Sequence, residues 1–116
     1  MNVVAGVLVG LVAALHLFFL VLEMFLWTTP TGRRVFGLDA DFAERSKALA
    51  ANQGLYNGFL VAGLVWGLVS GRTDVRVFLL VCVVVAGVYG AATVNKRIVV
   101  VQGVPAAVAL VAVALS

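Results

Sequence analysis

Four stretches of the chain stay apolar long enough to form helices that need an apolar environment: Val3 to Trp27, about Leu49 to Val69, Val77 to Val94, and Ile98 to Leu115. A bilayer core about 30 Å thick is crossed by roughly 20 apolar residues in an α-helix. The pattern therefore predicts an all-α integral membrane protein, a four-transmembrane-helix antiparallel bundle. The predicted helices are about 3–27, 41–69, 77–94 and 98–115, in a single domain covering residues 1–116. The last two runs are shorter than the first two but still within the range of a span.

The polar links differ in kind. Thr28 to Ala48 reads as a loop that opens on a helix stop, Thr28-Thr29-Pro30-Thr31-Gly32. It then turns amphipathic, with Asp41, Glu44, Arg45 and Lys47 interleaved with Phe42 and Leu49. Asp41 is a plausible N-cap with Glu44 as its capping-box partner, so the second helix is expected to begin near Asp41, before it enters the membrane. Ser70 to Arg76 reads as a tight turn around Gly71 and Asp74, and Asn95-Lys96-Arg97 as a shorter one. Links this short make the last three helices antiparallel neighbours.

The first run is not read as a signal peptide. It lacks a basic leading segment, exceeds the about 7–15 apolar residues of such a peptide, and is followed by no small-residue cleavage site. Composition agrees with a lipid environment: of 116 residues, 64% are hydrophobic and 11% charged, against about 25% charged in a soluble domain. The net charge of +3 lies in the links, where it speaks for orientation rather than for nucleic acid. Arg33, Arg34, Arg45, Lys47, Lys96 and Arg97 fall in the first and third links, and Arg72 and Arg76 in the second. By the excess of basic residues on cytoplasmic loops, the first and third links face the cytoplasm and both termini lie outside, in a multi-pass protein of the cell membrane.

Polar groups inside a span are costly and need a reason. The first helix holds His16 and Glu23, seven residues apart on one face and separated by about 10 Å of helix rise. The second opens with Asn52, Gln53, Tyr56 and Asn57; the third ends with Tyr89, Thr93 and Asn95; the fourth begins with Gln102. All but His16 fall in the cytoplasmic half. A polar cluster is expected there, with His16, Glu23, Asn52, Gln53, Tyr56, Asn57 and Tyr89 as candidate ligand-binding residues. Amides and hydroxyls at such depth also serve simply as bonds between helices. Glu23 snorkels to the interface, pairs with Arg45, Lys47, Lys96 or Arg97, or keeps its proton, since burial disfavours the charged form.

Small residues recur every four positions: Ala50, Gly54, Gly58 and Ala62 on the second helix, then Gly63, Gly67 and Gly71, with Gly6 and Gly10 on the first and Ala86 and Gly90 on the third. This spacing lets helix backbones approach closely. It makes the second helix the centre of packing and predicts a homo-oligomer. A lone cysteine, Cys82, excludes an intrachain disulfide and a cysteine metal cluster. One histidine builds neither a haem nor a zinc site, and no zincin, phosphate-loop or serine-hydrolase motif occurs. No metal and no cofactor is expected, and the chain reads as more plausibly non-enzymatic.

The series Ala14-Leu15-His16, Leu22-Glu23-Met24-Phe25-Leu26-Trp27 and Ala50-Ala51-Asn52-Gln53-Gly54-Leu55-Tyr56-Asn57-Gly58-Phe59 resembles domain-of-unknown-function family 1304, small bacterial integral membrane proteins. The similarity runs over nearly the whole chain. It implies a four-helix membrane protein and no activity. A remoter likeness is to the membrane-associated eicosanoid and glutathione metabolism proteins, four-helix trimers. Glu44, Arg45, Asn52 and Tyr56 match the spacing of that family's second helix, and Tyr89 its third-helix tyrosine. Ala48 and Leu55 stand where that family has arginine and glutamate, which weighs against glutathione chemistry.

Three functions follow. The first is a protein that binds a small polar or amphipathic ligand, or a proton, in the cytoplasmic-half cluster, with Glu23 carrying the charge and His16 a deeper relay. The second is a membrane enzyme of glutathione-transferase type. The third is an assembly or accessory subunit without chemistry. The partners expected are membrane lipids, further copies of the chain and a small-molecule ligand, with no nucleic acid.

Overall fold

The structure, a computed structural model, describes residues 2–94 and 96–116, with side chains for all of these but Val99. Asn95, expected at the polar end of the third helix, lies outside the described residues. Every regular element among the described residues is helical: α1 (Val3–Phe25), α2 (Pro30–Phe36), α3 (Ala40–Val69), α4 (Thr73–Thr93), a π-helical turn (Val99–Gly103) and α5 (Val104–Leu115). Two of them, α1 and α4, are long and apolar enough to cross a membrane; Val100–Leu115 forms a shorter apolar segment. In α3 the run is interrupted by Asn52, Gln53 and Asn57.

The first link is not a loop. Thr29, part of the expected helix stop, also starts α2 once α1 has ended at Phe25. Its Oγ1 accepts from the Gly32 N–H at 3.2 Å and donates to the Leu26 carbonyl at 2.6 Å. Pro30 then occupies the first helical turn, where a missing N–H costs nothing. The helix ends at Gly37, whose φ of 67° is the left-handed conformation that glycine adopts without strain, and Leu38 N–H returns to the Arg33 carbonyl at 2.9 Å. The expected N-cap of the next helix is also corrected, by two residues. Asp39, not Asp41, caps α3, with its Oδ1 accepting from Phe42 N–H at 2.7 Å. Asp41 and Glu44 lie within the first turns and pair with Arg45 and Lys47.

The second link is shorter than expected. α3 closes in a Schellman turn, with Gly71 at φ 71° and Arg72 N–H bonded to the Gly67 carbonyl at 3.1 Å. α4 then starts at Thr73. The last apolar run is not one regular helix: a π-turn precedes α5. Pro105, near the start of α5, lacks an N–H and crowds the carbonyl four residues earlier, so the backbone widens there.

The chain divides into two compact units, Ala14–Val61 and Met1–Ala13 with Ala62–Ser116. In the first, Leu22, Ala43 and Ala50 are buried; in the second, Val9, Leu64, Leu80, Val83, Ala106 and Ala109. Within the second unit, α4 meets the final segment closely: a Cβ at Gly87 would stand 2.9 Å from the Gly103 backbone.

Candidate functional site

Within the unit Ala14–Val61, α1 and α3 cross at the expected line of small residues. A Cβ on Gly54 would lie 3.2 Å from the Leu20 carbonyl oxygen, 3.2 Å from Glu23 Cβ and 2.5 Å from Met24 Cγ. A Cβ on Gly58 would lie 3.0 Å from a Leu20 methyl. The two backbones are close only because α3 has no side chain at Gly54. Asn57 lies three residues on, hence on the same helical face, and is buried. Its Nδ2 donates to Glu23 Oε1, which is how the sequence brings an amide to a half-buried carboxyl.

The cations expected as partners for Glu23 are engaged elsewhere where they share its unit. Arg45 Nε lies 2.9 Å from Asp41, and Lys47 pairs with Glu44. The partner of Glu23 is therefore a neutral amide. That amide stabilises the carboxyl by one hydrogen bond and leaves its remaining lone pairs available.

The other candidates are placed as follows. His16 is fully buried, seven residues before Glu23 on the same helix, and packs edge-on against Phe19 with ring centroids 5.5 Å apart. Asn52 and Gln53 are exposed. Tyr56 is 55% exposed and meets Phe59 edge-on. Tyr89 belongs to the other unit and is exposed. Within the unit Ala14–Val61, Asn57 is the candidate that meets Glu23, while Asn52, Gln53 and Tyr56 are exposed. At 100° per residue, a helix face set by Ala50, Gly54 and Asn57 puts Asn52 and Tyr56 on the opposite side. The sequence showed their position along the helix, but facing depends on which side of α3 meets α1.

The polar end of this unit is closed by side chains that sequence reading left unassigned. Trp27 Nε1 donates to Ser46 Oγ at 3.0 Å, Ser46 Oγ donates to the Phe42 carbonyl at 2.7 Å, and Trp27 packs on Phe36 at 4.9 Å between ring centroids. α2 is seated hard against the end of α1, since a Cβ on Gly32 would fall 1.9 Å from the Leu26 carbonyl oxygen.

In the other unit lies Arg76, which its sequence position marks only as a basic link residue. It is in fact buried at 1% exposure. Its Nη1 donates to the Gly67 carbonyl at 2.6 Å and its Nη2 to Thr73 Oγ1 at 2.9 Å, so the guanidinium caps the carbonyl end of α3. The available signal was its position one turn into a helix that follows a glycine turn. A surface cavity of about 450 Å³ beside this hairpin is lined by Gly63, Trp66, Asp74, Val75, Phe78 and Leu79, none of them a candidate site residue.

A family model described as "Protein of unknown function (DUF1304)" matches residues 10–114. The chain is 34% identical over 110 residues to the uncharacterized protein YpaA of Lactococcus lactis subsp. lactis (strain IL1403), an alignment that covers 90% of this chain and 92% of the relative. No solved structure matches the chain.

Proposed function

The chain belongs to the DUF1304 family of proteins of unknown function, and we propose that it is a multi-pass membrane protein that binds a proton or a small polar ligand at the Glu23–Asn57 pair. The membrane reading is supported by what the apolar helices leave uncovered. Only 28% of the apolar window of α1 and 22% of that of α4 is buried, whereas the central helix of a soluble fold buries most of such a surface. Leu11, Leu17 and Phe18 on α1, Phe59 and Val65 on α3, Phe78 and Val85 on α4, and Val104, Val108 and Val111 on α5 are all exposed. Uncovered apolar surface on every long segment calls for lipid. On this reading α3 and the final segment cross as well, giving four spans, and the excess of basic residues in the first and third links favours both termini outside.

One observation carries the binding reading. A carboxyl inside an apolar helix has a neutral amide as its partner, while Arg45 and Lys47 of the same unit are committed to Asp41 and Glu44. An intramembrane carboxyl of this kind marks a proton or ligand site by default. Its test is infrared difference spectroscopy on the reconstituted protein. A carboxyl band that responds to pH or to an added ligand, and is absent in Glu23→Gln, supports the site. Identical responses from wild type and Glu23→Gln would sink it.

Outward-facing Asn52, Gln53 and Tyr56 favour a second reading, in which further copies of the chain cover α3 in a homo-oligomer. Mass measurement in native-like detergent tests it, and a monomer alone removes it.

A further inference from the structure

The ion pairing in the first link is uneven. Its carboxylates are all engaged: Asp39 caps α3, Asp41 holds Arg45 and Glu44 holds Lys47. Arg33 and Arg34, side by side in the last turn of α2, are not matched by any of them. Among the described residues, neither side chain makes an ion pair or a hydrogen bond, and Arg33 Nε is buried with no acceptor. An enclosed guanidinium N–H without an acceptor is costly. Arg34 is exposed.

The enclosed Nε is out of reach of an external ligand, but Arg33 is only part-buried and Arg34 is exposed, so their terminal nitrogens are open to one. Phe36 is stacked on Trp27, at the end of the apolar α1, and the neighbouring Val35 is 50% exposed. A short helix that presents an aromatic anchor, a bare valine and two unmatched guanidinium groups fits a bilayer surface. There the apolar parts meet acyl chains and the charges meet headgroups. We infer that α2 is a contact for anionic lipid headgroups, with Arg33 and Arg34 binding their phosphates. This rests on the membrane reading above. Adjacent helical side chains diverge by about 100°, so the two arginines address separate phosphates rather than chelating one. Guanidinium suits this role because its fixed fork of donors matches phosphate oxygens. By contrast Arg45, in the same link, is already neutralised by Asp41.

The test uses the full chain with Trp66→Phe, so that Trp27 is the only tryptophan. The protein is reconstituted in phosphatidylcholine vesicles containing either brominated phosphatidylglycerol or brominated phosphatidylcholine, and quenching of Trp27 reports the lipid beside α2. Wild-type residues are expected to favour phosphatidylglycerol. Arg33→Gln and Arg34→Gln should each reduce that preference by about fivefold, with the two factors multiplying in the double substitution, and Arg45→Gln should leave it unchanged. High salt should weaken it. Equal quenching by both lipids, or a preference that survives the double substitution, would overturn the inference. So would a preference abolished by inorganic phosphate but not by chloride at matched ionic strength, which would assign the arginines to a free anion. Failure of the protein to float with vesicles would instead sink the membrane reading itself, so the two failures are distinguishable.

Discussion

Asn57 of α3 donates its side-chain amide to Glu23 of α1, joining two helices whose residues are 34 positions apart in sequence. Removing one partner leaves the other a buried polar group with nothing to bind. Asn57→Leu should therefore lower stability by about 1–3 kcal/mol, read as thermal unfolding in detergent. Glu23→Gln keeps an acceptor for Asn57 and should cost less. The double change Glu23→Leu with Asn57→Leu should recover part of the loss. Additive losses would mean the two side chains do not interact.

The approach that permits this bond depends on Gly54. In Gly54→Leu the new side chain meets the Leu20 carbonyl and Met24, so the helices must part. A loss of about 1–3 kcal/mol is expected, together with loss of the Asn57 effect in a Gly54→Leu background. Gly10 is the control: nothing lies within 4 Å of its Cβ position. Gly10→Ala should stabilise by about 0.5–1 kcal/mol through helix propensity alone. A destabilised Gly10→Ala would mean that α1 packs tightly there, as its place in a line of small residues suggested.

Gly32 faces the Leu26 carbonyl, which is backbone and cannot swing aside. Gly32→Ala should unseat α2 and expose Trp27, seen as a fluorescence shift in the Trp66→Phe background. Thr29→Ala removes the cap of the same helix and should cost about 1 kcal/mol. An unchanged Trp27 spectrum in Gly32→Ala would show that α2 is held in some other way.

Arg76 holds the α3–α4 hairpin through charge-assisted bonds to the Gly67 carbonyl and Thr73. Arg76→Met keeps most of the apolar stem but removes both bonds, leaving the Gly67 carbonyl only the Arg72 N–H. It should destabilise by about 1.5–3 kcal/mol, more than Arg72→Met, whose partner Asp74 is exposed and hydrated. Equal effects at the two arginines would count against a buried cap.

The sequence alone determined the helical class and the apolar segments, because both are local: run length and polarity require no knowledge of what packs where. The Gly54 line and the positions of the polar residues along their helices were legible for the same reason. Facing was not. Asn52, Tyr56 and Asn57 lie within one and a half turns of each other, yet only Asn57 turns toward Glu23, since the phase of α3 is set by where its small residues meet α1. Start sites were also misjudged locally, because Thr29 and Asp39 are caps only when the chain after them bends into a helix. Arg45 and Lys47 meet Asp41 and Glu44 by local spacing, four and three residues apart on α3. The bond between Asn57 and Glu23, 34 positions apart, was decided by tertiary structure alone, because those side chains meet only where α1 and α3 pack.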